Sequence, residues 1–326
     1  MTVELDAIRD TWFEPVESLL RETVDMGGDE LLVAMNRFHI ETGGKRLRAF
    51  LPIWVCANAG GQPEAALELG VGLELIHNAT LVHDDLQDGD EVRRGQQTVW
   101  RRWGEAQAIN AGDSLYFHGM QRLLRSPAGP EVALAASDAL VRVIAGQVME
   151  FRLQLEPDHA DALAPTLGNW EQMARGKTGS LFGVCCQAGV LAAGREAAAS
   201  DAISFGSDLG LFFQVQDDLL DLVGDKGRDQ MGTDIAEGKR SYPVVWALAH
   251  GERMAAERIL EIVATPRAET TETMLDDAIA TLIHIGAIEA TARWLRAGGD
   301  ALRAHPLVQL TPGIVEAVLE PVAHAL

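Results

Sequence analysis

The stretch VGLELIHNATLVHDDLQD, residues 71–88, decides the fold: an apolar run with helical spacing ends in carboxylates at i, i+1 and i+4. Asp84 and Asp88 then stand one turn apart on a single helix face. The chain repeats the pattern. ISFGSDLGLFFQVQDDLLD, residues 203–221, carries Asp217, Asp218 and Asp221 at the same spacing, at the end of a second apolar segment. Carboxylates stacked at the electronegative end of a helix repel one another unless a cation lies between them. The twin triads therefore read as two metal platforms at the mouth of a cavity walled by helices.

Working outward, residues 64–88, 105–124, 131–155, 167–193, 199–222 and 272–303 favour helix in length and pattern, and alternating β-branched strands are absent. Gly, Pro and Asp punctuate the breaks at 41–45, 88–94, 126–130, 157–164 and 224–232. No Pro/Ser-rich linker divides the chain, and the residues that read as one site are spread from position 45 to 239. The expectation is an all-α, single-domain helical bundle over residues 1–326, built around a central cavity; 47% apolar content suffices for a large core.

A net charge of −21 argues against nucleic acid or anionic lipid as a partner and suits divalent cations. Basic residues nonetheless cluster at Lys45, Arg46 and Arg48, at Arg93 and Arg94, at Arg101 and Arg102, and at Lys239 and Arg240. Cys56, Cys185 and Cys186 have no metal-ligand spacing and read as core residues of a protein in the reducing cytoplasm. The acidic, amphipathic N-terminus is no signal peptide, and no apolar run approaches the length of a membrane span, so no transmembrane segment is expected.

Carboxylates without a neighbouring Cys or His ligand pair favour hard cations, and Mg²⁺ is bound through a few carboxylates plus phosphate oxygens. The implied substrate is a phosphate or diphosphate. His83, alone beside Asp84, reads as a hydrogen-bonded structural residue. GGKRLR at Gly43 to Arg48 sets a turn before three cations, and RRG at Arg93 to Gly95 adds two guanidiniums beside the first platform, so both are candidate anion clamps.

HDDLQDGDEVRRG from His83, AINAGD from Ala108, KTGSLF from Lys177, FQVQDDLLD from Phe213 and GTDIAEGKRSYP from Gly232 together resemble the trans-polyprenyl diphosphate synthases. Order and spacing match from about residue 40 to 245. The resemblance implies an all-α, homodimeric enzyme of isoprenoid synthase type that extends an allylic diphosphate with isopentenyl diphosphate, using Mg²⁺ at two DDxxD motifs. It implies catalytic roles for Asp84, Asp85, Asp88, Asp217, Asp218, Asp221 and Lys177, with Asp84, Asp88 and Asp217 on metal. Lys45, Arg48, His77 and Arg94 would hold isopentenyl diphosphate. Arg93, Lys177, Thr178, Gln214 and Lys239 would hold the allylic diphosphate. Ionisation of the C–O bond gives an allylic cation that the isopentenyl double bond attacks, and the released diphosphate takes the final proton.

The chain also departs from the family pattern. Gln97 and Trp100 stand where the family has Pro and His, a change expected to alter loop packing only. Asp229 or Gln230 stands where a Lys is usual, which weakens one contact to the allylic diphosphate unless Lys226 or Arg228 replaces it. Upstream of Asp84, the small residues Ala79 and Thr80, with Ile76, replace the aromatic of short-chain members and predict an open tunnel and a product of geranylgeranyl length or longer. Tyr116, Phe117 and Met120 read as core packing at helical spacing. A class I terpene cyclase or head-to-head prenyl synthase would share the fold and one aspartate motif but has no use for Lys45, Arg48 and Arg94. A non-catalytic subunit of a heteromeric synthase would not keep both motifs intact.

Overall fold

The computed structural model describes residues 3–26, 28–155, 159–223, 231–309 and 313–319. These are all-α apart from a two-residue ladder, β1 (Val92–Arg93) against β2 (Gln96–Gln97), in antiparallel register. The chain packs as two compact units: Met1–Asp138 with Leu181–Gly206 and Gln309–Gly313, and Ala139–Ser180 with Ser207–Val308 and Ile314–Leu326.

The first unit is organised on one helix. α1 (Leu5–Asp25), α2 (Glu30–Glu41) and α3 (Leu47–Asn58) precede α4 (Leu67–Gln87), which is followed by α5 (Val99–Trp103) and α6 (Glu105–Leu123). Within α4, Leu69 to Ile76 are buried without interruption, so the helix is covered on every side. Two glycines permit this. A Cβ on Gly70 would lie 2.3 Å from the Ala49 carbonyl of α3, and one on Gly72 would lie 2.8 Å from the Gly119 carbonyl of α6. Two residues apart on a helix point to opposite sides, so α4 is clasped between α3 and α6 at backbone contact. The first aspartate motif emerges at the end of this clasped helix.

Next come α7 (Gly129–Gln154), α8 (Leu167–Ala174), a π-helical turn over Arg175–Gly179, α9 (Ser180–Ala192) and α10 (Ala199–Val223). In the second unit, α11 (Thr233–Ala236), α12 (Tyr242–His250), α13 (Arg253–Val263) and α14 (Glu272–His284) enclose a core that includes Leu222, Val244, Ile259, Ile262, Leu275 and Leu282. α15 (Ala287–Arg303) and α16 (Ile314–Leu319) complete the described chain.

Three expectations change. Residues 167–193 are two α-helices joined through the π turn, and residues 272–303 are two helices divided at Ile285 and Gly286. Gly286 has φ 80°, a left-handed conformation that a continuous helix excludes. Two helical stretches, Pro63–Gln87 and Gly129–Gln154, are also long and apolar enough to cross a membrane by length and composition. In the first, 67% of the apolar window is buried inside the protein, the pattern of a core helix. The second is 39% buried.

Candidate active site

Each aspartate motif contains both half-exposed and buried carboxylates. In the first motif, Asp84 and Asp88 are half-exposed, whereas Asp85 is buried and accepts from Arg93 Nε at 2.6 Å. Burial pushes the Asp85 carboxyl up to about 6 against the opposing pull of Arg93. The loop after α4 is pinned to the helix end: Asp90 N–H donates to the Asp85 carbonyl at 2.8 Å, and Thr98 Oγ1 and Trp100 Nε1 both donate to the Asp90 carbonyl at 2.8 Å. Trp100 thus ties the loop down through its indole N–H.

That loop delivers Arg93 and Arg94. Arg94 adopts φ 51°, and its guanidinium donates to the Gly43 carbonyl. It lies over Gly44, whose φ of 131° is a conformation that L side chains rarely adopt and that favours glycine. On the neighbouring loop Lys45 is exposed and Arg46 is buried, and in the first turn of α3 Arg48 is partly buried. Arg46 turns inward, also left-handed at φ 50°. It donates to Glu17 Oε1 at 2.7 Å and to the Ile40 carbonyl at 2.6 Å, and lies 3.9 Å from Glu74. The guanidinium of Arg48 lies 5.0 Å from the Phe182 ring centre, and its buried Nε has no hydrogen-bond partner among the described residues. His77, on α4, is held well below its ordinary value by burial and then by Arg48, Arg93 and Arg94. It is therefore neutral near pH 7. Arg48 and Arg94 thus lie about neutral His77 within the first unit, with Lys45 on the loop that leads into α3, where Arg48 stands.

In the second motif Asp217 is half-exposed, while Asp218 and Asp221 are buried. Asp218 accepts from Gln214 Nε2 at 2.9 Å and from the Tyr242 amide at 2.7 Å, and Gln214 Oε1 accepts from Thr178 Oγ1 at 2.8 Å. Burial and the nearby Asp234 nevertheless hold the Asp218 carboxyl well above the ordinary range. Asp221 accepts from Thr233 Oγ1 at 2.6 Å and from the Asp234 amide at 3.1 Å, which fixes the chain entering α11. Lys177 sits in the π turn, paired with Glu150 of α7, and Lys239 pairs with Glu237 at 2.8 Å. Of the residues read as allylic-diphosphate ligands, Lys177, Thr178, Gln214 and Lys239 belong to the second unit and Arg93 to the first. Lys226, Arg228, Asp229 and Gln230 lie outside the described residues.

His83 takes its structural part: Nε2 lies 3.3 Å from the Ile109 carbonyl and 3.7 Å from Asp113, and the ring centre lies 5.6 Å from that of Tyr116. Ile76 and Ala79 are fully buried, Ile76 against Gly119 of α6, while Thr80 is half-buried with its hydroxyl donating to the His77 carbonyl at 2.7 Å. The core reading of Phe117 fails, since its side chain is 71% exposed. Arg46, expected with its neighbours in an anion clamp, is instead turned inward onto Glu17 and Glu74. Thr233 and Asp234 lie within the GTDIAEGKRSYP segment but were given no part as partners of Asp221, and nothing local in the sequence marks Glu150 as the partner of Lys177.

The chain belongs to the polyprenyl synthetase family, whose model matches residues 29–282. It is 31% identical over 293 residues to a short chain isoprenyl diphosphate synthase of Methanothermobacter thermautotrophicus, covering 87% of this chain and 86% of that protein. It is 34% identical over 287 residues to a geranylgeranyl diphosphate synthase of Mycobacterium tuberculosis, covering 83% and 79%. Among solved structures, a geranylgeranyl pyrophosphate synthetase from Pyrococcus horikoshii superposes with a TM-score of 0.83 at 27% identity, over 97% of this chain and 98% of that one. A decaprenyl diphosphate synthase from Rhodobacter capsulatus gives 0.81 at 25%, over 97% and 98%.

Proposed function

We propose that this chain joins isopentenyl diphosphate to an allylic diphosphate, with release of diphosphate and a product of geranylgeranyl length or longer. One observation carries the reading: half-exposed Asp84 and Asp88 end the same helix that presents His77 to Arg48 and Arg94, where the buried Arg48 Nε has no partner among the described residues. A buried guanidinium nitrogen without a partner is costly, and an arriving diphosphate oxygen would satisfy it. Lys45, Arg48, His77 and Arg94 bind isopentenyl diphosphate in this reading. Arg93, Lys177, Thr178, Gln214 and Lys239 bind the allylic diphosphate.

The donor set fits a divalent cation. Asp84 and Asp88 at the end of α4, and Asp217 on α10, are half-exposed oxygen donors, and in this reading each motif would hold Mg²⁺. When bound, the metal supplies charge stabilisation to the leaving diphosphate. The buried members contribute differently: Asp85 fixes Arg93, and Asp218, through Gln214, fixes Thr178. These hydrogen bonds hold substrate-facing groups in place before the substrate arrives, so less ordering is required in the transition state.

The chain works as a single catalytic domain, supported by a family match that spans segments of both units. It works as a homodimer, supported by apolar side chains exposed along α7, and in the cytoplasm, supported by three free buried thiols. Incubation of the purified chain with Mg²⁺, isopentenyl diphosphate and each allylic diphosphate, followed by mass spectrometry of the products, tests the activity. Absence of elongation with every primer would remove the reading. Ala79→Phe is expected to shorten the product by at least one isoprene unit, and an unchanged product distribution would show that tail length is set elsewhere.

A further inference from the structure

α7 and the π turn meet at backbone contact. A Cβ on Gly146 would lie 2.5 Å from Lys177 N, and one on Gly176 would lie 2.9 Å from the Arg142 carbonyl. Glu150 is one turn beyond Gly146 on the same helix face, and this places its carboxylate on Lys177 Nζ. The pair is largely sequestered, with the two side chains 20% and 14% exposed. Away from water such a contact is stronger than a surface ion pair. The π turn itself, one residue wider than α-helix, sets Lys177 and Thr178 beside α7 and beside Gln214 at once.

Resting on the function proposed above, we infer that Glu150 is a positioning residue that competes with diphosphate for Lys177 and thereby promotes its release. An incoming allylic diphosphate must draw the ammonium from Glu150, and a departing inorganic diphosphate yields it back. The carboxylate weakens binding of both anions. Its return to Lys177 offsets the loss of the charge-assisted contact when product diphosphate leaves, which favours turnover over tight product binding. This differs from a bracing role, in which loss of Glu150 would disorder Lys177 and weaken anion binding.

The discriminating measurement is calorimetric titration of the full chain with inorganic diphosphate in the presence of Mg²⁺, alongside product inhibition by diphosphate. Glu150→Gln keeps shape and removes charge, and is expected to bind diphosphate about five- to tenfold tighter, with a matching fall in its inhibition constant. Glu150→Asp, which keeps the charge, should restore binding towards that of the parent. The gain should vanish when Lys177→Met is combined with Glu150→Gln. Should Glu150→Gln fail to fold, Glu150→Ala serves for the same comparison. Unchanged or weaker diphosphate binding on removal of the charge overturns the inference while leaving the proposed activity intact. A parent chain that neither elongates isopentenyl diphosphate nor binds inorganic diphosphate overturns both.

Discussion

At the scale of single residues, identical letters in the two aspartate motifs do different work, and the difference is one of burial. Asp84→Asn and Asp217→Asn remove half-exposed carboxylates, so each should lower kcat by at least about a hundredfold at a smaller cost in stability than loss of a buried one. Asp221→Asn instead weakens a buried acceptor of the Thr233 hydroxyl and the Asp234 amide, with an expected cost of about 1–3 kcal/mol. Steady-state rates and urea unfolding on the same three variants would separate the two classes; equal destabilisation by all three would refute the division. His39 gives a pH signature. Burial, aided by Arg93, Arg94 and Arg46, lowers it from 6.5 to about 3. The unfolded chain alone then takes up this proton between those values, so stability falls as pH drops through that window. Between pH 6.5 and 5 the loss is about 2 kcal/mol from this group. His77 is shifted in the same direction, so His39→Gln should roughly halve the slope of unfolding free energy against pH that the two share. An unaltered slope would show that His39 does not report on the fold.

At the scale of elements, much was legible and the exceptions share a cause. α4, α6, α7 and α10 lie within three residues of the apolar segments that predicted them, because helical periodicity is written locally. The π turn at Arg175–Gly179 was hidden because it depends on contact with α7 roughly 30 residues earlier, which no local pattern records. The inward turn of Arg46 was equally hidden, since Lys45, Arg46 and Arg48 differ only in which partners the fold supplies: Glu17 and Glu74 come from other helices. The clasp of α4 yields a further test. Gly72→Ala or Gly119→Ala would drive a methyl into facing backbone, an overpacking cost of about 1–3 kcal/mol. Thermal unfolding should show a fall in Tm, and because α4 carries both His77 and the first aspartate motif, affinity for isopentenyl diphosphate should fall with it. A substitution without effect on Tm would mean that α4 and α6 separate freely at that point.

At the scale of the whole molecule, the proposed homodimer has to form between chains that each carry a net charge of −21. Repulsion of that size is overcome only by an interface that buries apolar surface and keeps acidic groups at its rim. α7 offers such a face: Leu134, Val141, Ile144 and Val148 are 67%, 66%, 58% and 52% exposed and fall within one stripe at helical spacing. On α6, Ile109 and Phe117 are 48% and 71% exposed, an unusual density of apolar exposure for a surface that meets only water. A stable interface needs about 800 Å² from each partner, and the stripe on α7 is its proposed centre. Light scattering on the purified chain should therefore give a dimer mass, and Val141→Glu combined with Val148→Glu should give a monomer by placing four carboxylates across the symmetric contact. The acidic charge predicts the salt response as well: raising ionic strength screens the repulsion and should tighten the parent dimer. A parent chain that stays monomeric at micromolar concentration, at low and high salt alike, would refute the homodimer and leave the apolar face of α7 to a different partner.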